Sequence, residues 1–194
     1  MTAVRIRQSL VLNEYFELSQ EGLNPIVAAY RQAWKKKGEG IIDGLEKVTG
    51  LNYAQNIIDV YVIIHYLKDV IGNPIIISGR YLPEEFVQVL THILIHRLVS
   101  DNRQHENWHV RAQKLYPRKD IDVANHIMTN AILEALYVDV MGNTDKVIWS
   151  IKHYEIFKKR EAHKQAWDFI NQHGQQDVVA SLKAGKRVRL KQPA

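Results

Sequence analysis

The stretch Leu82-Pro83-Glu84-Glu85-Phe86-Val87-Gln88-Val89-Leu90-Thr91-His92-Ile93-Leu94-Ile95-His96-Arg97-Leu98-Val99 decides how the rest of the chain is read. Pro in the first turn and two acids near the positive end of the dipole open a helix. Phe86, Val87, Val89, Leu90, Ile93, Leu94, Ile95, Leu98 and Val99 cover most of its circumference, which predicts a buried helix. The polar exceptions Glu85, Gln88, His92 and His96 recur at i, i+3, i+7 and i+11, so they form a single stripe. Two buried imidazoles without partners would cost roughly 1–3 kcal/mol for each unsatisfied group. A shared divalent metal satisfies both, and the i, i+4 spacing brings both rings to one point. The bland alternative is two core histidines bonded to backbone or carboxylates.

Upstream, Val4 to Glu17 opens with a strand, rich in β-branched and aromatic residues. Asn24-Pro25 starts a helical segment that loosens at Gly38 and Gly40, and a second helical stretch covers about 41–49. Ile57 to Ile64 reads as a strand, and Gly72-Asn73-Pro74 turns the chain into another, Ile75 to Ser78. Downstream, Ser100 to Lys119 is polar. Asp120 caps a helix over about 121–141 that Gly142-Asn143 ends, and further helices follow near 144–160, 161–173 and 176–184. The class is α+β, with a small mixed sheet packed on a buried metal-binding helix and a helical C-terminal part. Residues 1–182 form one domain and 183–194 a basic tail.

The helix over 121–141 is also mostly apolar, and its polar residues His126, Asn130, Glu134 and Tyr137 share one face. Two buried helices with one polar stripe each most economically face each other across a site. His126 is then the third ligand, with Glu134 as the alternative. Asn130, one turn on, is placed to hydrogen-bond a ligand imidazole.

The order strand, turn, strand, buried His-x-x-x-His helix and ligand-bearing helix, over about 57–141, resembles the zincin metallopeptidases. Leu90 to Arg97 looks like their metal helix. Asn125-His126-Ile127-Met128-Thr129-Asn130 is similar at four places to the Asn-Glu-x-x-Ser-Asp of the glutamate-zincin branch, with His126 in place of the ligand Glu. The resemblance implies zinc or another divalent transition metal on His92, His96 and His126, and a peptide or protein as substrate or partner. Tyr137 is a candidate for stabilising an oxyanion. One departure matters: the family motif is His-Glu-x-x-His, and its Glu, the general base that activates water, is here Ile93. Losing a general base typically costs about 10²–10⁴-fold. Glu106, Glu134 and Glu85 are candidate substitutes. The resemblance therefore implies a metallopeptidase-like protein with impaired or absent hydrolysis, or a non-catalytic binding module on the same fold.

A complete His-Glu-x-x-His string does occur, His105-Glu106-Asn107-Trp108-His109, but its flanks, 101–104 and 111–114, are mostly polar, whereas a zincin metal helix is buried. His105 or His109 could also fold back onto His92 and His96. His65, His153, His163 and His173 read as isolated surface or core histidines.

Bulk properties bound the rest. No stretch approaches the roughly 18 apolar residues of a membrane span, no apolar signal region follows the N-terminal charges, and there is no cysteine, so thiolate sites are excluded and a cytosolic location is expected. Net charge is +5, with five basic groups in 183–191 and a second cluster at Lys35, Lys36 and Lys37. That tail admits a nucleic-acid-associated role through phosphate contacts, although no recognition motif accompanies it.

Overall fold

The computed structural model describes residues 2–8, 23–63, 70–72, 74–105, 107–116, 120–148 and 160–184. These divide into two compact units, one from 1–43 with 53–97 and one from 44–52 with 98–194.

The first unit holds the sheet. Strand β1 (Ala3–Gln8) leads to helix α1 (Leu23–Thr49), followed by β2 (Ile57–Ile63), β3 (Val70–Gly72), β4 (Ile75–Ser78) and helix α2 (Pro83–Asp101). Sheet order is β1-β2-β4-β3, with β1, β2 and β4 parallel and β3 antiparallel to β4. The expected mixed sheet is present. The chain reverses between Gly72 and Ile75, pairing Val70 with Ile77, as the Gly-Asn-Pro punctuation predicts. Parallel neighbours demand a crossover, and α1 supplies it between β1 and β2. All of β4 is buried, which accounts for its unbroken Ile-Ile-Ile run. Arg5 lies opposite Asp59 in register and binds it through Nε and Nη2 at 2.6 and 2.9 Å. That guanidinium holds the Asp59 carboxyl below its ordinary range. Tyr30 stacks on Phe86 with centroids 4.0 Å apart, and its hydroxyl donates to Tyr81 O at 2.6 Å. Among the described residues, no helix is long and apolar enough to cross a membrane.

Helix α1 corrects one expectation, because it runs unbroken through Gly38 and Gly40. Gly38 is a packing residue: a Cβ there would meet the Trp34 ring at 2.3 Å, whereas one at Gly40 meets nothing within 4 Å. Gly38→Ala is expected to lose about 1–3 kcal/mol by overpacking. Gly40→Ala should gain about 0.5–1 kcal/mol of helix propensity. Urea denaturation of the two variants checks this; equal effects would contradict it.

The second unit is helical. It contains α3 (Trp108–Leu115), α4 (Ile121–Glu134), a π-helical segment (Ala135–Val140), α5 (Arg160–His173) and α6 (Gln175–Ala184). Helix α4 packs against α3, α5 and α6. Asp120 caps α4 as expected, its side chain accepting from Asp122 N–H at 2.8 Å. Gly142 and Gly174, at φ 62° and 83°, follow the π-helical segment and α5, where the left-handed backbone favours Gly. Two expectations need correction here. The polar stretch 100–119 contains α3, whose buried Trp108 anchors it. The helix expected to run to 141 changes to π geometry after Glu134, with Met141 N–H donating to Leu136 O. Gly44 belongs to this unit as well, and a Cβ on it would meet Leu136 Cδ1 at 2.5 Å.

Candidate metal centre

Helix α2 carries the His-x-x-x-His pair. Glu85 accepts from Leu82 N–H at 2.9 Å, which closes the first turn and fixes the register of everything after it. Tyr53 donates to Leu94 O at 3.1 Å, holding the helix from the side. Phe86, Leu90, Leu94 and Ile95 are fully enclosed. Gln88 and His92 are buried despite their polarity, at 6% and 7% exposure, and His96 is half-buried. The expected buried stripe is there.

The two rings meet through their Nε2 atoms, 3.2 Å apart, with ring centroids at 4.9 Å and planes inclined by 60°. Two imidazole nitrogens bound tetrahedrally to zinc at about 2.0–2.1 Å lie about 3.3 Å from each other. The pair therefore has the edge length of a tetrahedral site. It also suits a direct imidazole–imidazole hydrogen bond when no ion is bound. Among the described residues, no three His, Asp or Glu side chains converge in a metal-holding arrangement, so the observed fit is that of the pair. Ile93 is 7% exposed, which puts an apolar side chain where the family pattern has a carboxylate.

The rival string is not a helical pair. His105 sits in a turn, Asn107 caps α3 by accepting from Val110 N–H at 3.1 Å, and His109 lies inside that helix. The helix boundary falls between the two histidines, so the i, i+4 geometry the motif requires is not formed. Glu106, a candidate base, lies outside the described residues. His109 instead binds Asn125, Nδ1 to Oδ1 at 2.9 Å, tying α3 to α4. His65, His153 and residues 185–194 of the basic tail also lie outside the described residues.

The remaining expected residues belong to the second unit. His126, at 9% exposure, is in contact with His163 of α5, their ring centroids 3.6 Å apart and their planes inclined by 42°. His163 was expected to be isolated; it is 6% exposed and paired. Its single appearance in the Glu-Ala-His-Lys sequence hid this, because the contact is made between helices far apart in the chain. His173 packs on Phe169 at 4.3 Å, and burial pushes its imidazole below the ordinary range.

Asn130 also corrects an expectation. It was placed to hydrogen-bond an imidazole, yet among the described residues neither Oδ1 nor Nδ2 has a hydrogen-bond partner, although the residue is 0% exposed. Glu134 is half-buried, and its Oε2 likewise has no hydrogen-bond partner among the described residues. Burial, and then Asp139 five residues on, push its carboxyl above the ordinary range. Tyr137 is 3% exposed inside the π-helical segment, and its carbonyl accepts from Asn143 N–H at 2.7 Å.

Comparison with protein-family models, curated proteins and solved structures finds no match.

The raised Glu134 carboxyl gives a pH prediction. The folded state holds this proton more tightly than the unfolded chain does. Stability attributable to it is full below the unfolded value of 4.5 and falls as pH rises through the folded value. Glu134→Gln should therefore raise Tm at pH 7–8 and leave it nearly unchanged at pH 4. Scanning calorimetry across that range decides; a fall in Tm at pH 7 would mean that the charged carboxylate is stabilised in the fold.

Proposed function

We propose that this chain is a zinc-binding, metallopeptidase-like protein of zincin type whose hydrolytic activity is impaired. The observation that carries the reading is the 3.2 Å separation of the His92 and His96 Nε2 atoms on a buried helix. The observed order of β2, turn, β4 and α2 supports it, since it follows the strand, turn, strand and helix order of the resemblance, with the short β3 inserted before the turn.

The chemistry follows from the side chains. His92 and His96 offer two neutral nitrogens to an ion. Zinc bound there would act as a Lewis acid toward a carbonyl oxygen and toward water. The Ile93 side chain can neither accept nor deliver a proton. Glu134, half-buried, holds its proton more tightly than an ordinary carboxyl because burial penalises its charged form, which suits a proton-exchanging group. The burial of Ile93 specifically favours a second reading, a non-catalytic module that keeps the fold and the metal to bind a peptide or protein.

The zinc-loaded protein, assayed on a peptide panel with and without chelator, separates these readings. Zinc binding with weak, chelator-sensitive cleavage is expected of an impaired enzyme. Zinc binding with no cleavage selects the binding module. A protein that takes up no zinc refutes both.

A further inference from the structure

The second unit contains a polar constellation that the reading of His92 and His96 does not use. It is built on one face of α4, where His126, Asn130 and Glu134 follow one another at i, i+4 and i+8. Helix α5 packs on α4 and brings in His163. The decisive residue is Asn130. It is fully enclosed, and among the described residues neither end of its amide has a hydrogen-bond partner. Such a group is costly to bury, and its presence in a native core calls for an ion, a water or a role. A second irregularity lies next to it: the helix passes into π geometry one turn beyond, a feature frequent at functional sites.

We infer that His126, His163 and the Asn130 side-chain oxygen form a second divalent transition-metal site, distinct from the one on His92 and His96. Imidazole nitrogen with amide oxygen is a donor set such ions accept. His126 and Asn130 are one helical turn apart, so both can reach a single ion. His163 comes from the neighbouring helix. The two rings lie tilted against each other at a centroid separation of 3.6 Å, and binding opens them toward the 4.9 Å seen between His92 and His96. Three protein donors leave a coordination position for a further ligand. The inference stands independently of whether the first site binds.

The test is titration of Zn²⁺ into the full chain purified free of metal, followed by calorimetry. The wild type is expected to bind two ions, and the His92→Ala/His96→Ala double variant one. Adding His163→Gln to that double variant should weaken the remaining site by at least about 100-fold, since even outer groups around a metal are worth about 10–100-fold. A double variant that binds no zinc overturns the proposal, as does a triple variant that binds as the double does. Histidine ring ¹⁵N spectra of the intact wild type give a readout that needs no variant to fold. Zinc should shift the ring nitrogens of both His126 and His163, and unchanged shifts at two equivalents refute the site. If the wild type binds a single ion and only these two rings respond, the second site stands and the first falls.

Discussion

Asn130→Leu is expected to stabilise the metal-free protein by about 2 kcal/mol or more, an unusual sign for a polar-to-apolar change at a functional position. Leu has the same branching at Cγ as Asn, so the side chain replaces both amide atoms with methyl groups. Neither of those atoms has a hydrogen bond among the described residues, and the residue is 0% exposed. Each unsatisfied buried group costs about 1–3 kcal/mol, and burying methyl groups adds a favourable term. The larger volume of Leu works against this by about 1 kcal/mol in a close-packed core. For a chain of this length, about 1 kcal/mol corresponds to about 2–4 °C in Tm. The rise should be largest without metal and shrink when zinc is added, because only Asn130 gains from the ion. Calorimetry with and without zinc measures both effects. A variant less stable than the wild type in the metal-free form would show that the amide is satisfied in the native protein.

Ile93→Glu is expected to increase chelator-sensitive peptide cleavage by about 10²-fold or more over the wild type. The position lies one residue after His92 on the buried helix. There a carboxylate can take a proton from water held beside the two imidazoles. Its burial at 7% exposure predicts an accompanying loss of stability, since an unpaired charge is expensive in such a place. Zinc should restore part of that loss. The measurement is kcat/KM on a peptide panel for the zinc-loaded variant. A folded, zinc-binding Ile93→Glu protein no faster than the wild type would place the defect elsewhere than at the missing base.

Much of the fold was legible in the residues. The strand at 75–78 after its turn, the buried helix with its polar stripe and the capped helix at 121 all follow from local chemistry: turn residues, periodicity, and a side chain able to accept from free N–H groups; the short β3 that pairs with β4 was not read, because three residues carry no pattern. Helix α3 was missed because 100–119 is mostly polar and its deep anchors, Trp108 and Ala112, span too short a stretch to carry a periodic signal. The π-helical segment was missed because Ala135 to Val140 has ordinary helical composition, and the wider turn reflects packing rather than propensity. Gly38 was misread as a loosening point because its value lies in space for the Trp34 ring, which only the three-dimensional arrangement shows.

The site divides in the same way. His92 and His96 were found from spacing alone, since both lie on one helix and the i, i+4 rule fixes their distance. The failure of His105-Glu106-Asn107-Trp108-His109 could have been foreseen from Asn107, a strong capping residue placed between the two histidines. The His126–His163 pair was not legible, because the residues are joined by tertiary packing and His163 belongs to no recognisable spacing.

The most direct test of the central claim is the zinc content of the purified protein, compared by elemental analysis with the His92→Ala and His105→Ala variants. A metal held by His92 and His96 predicts that His92→Ala loses one zinc per chain while His105→Ala keeps the wild-type content. Wild-type zinc in His92→Ala, or loss only in His105→Ala, would contradict it.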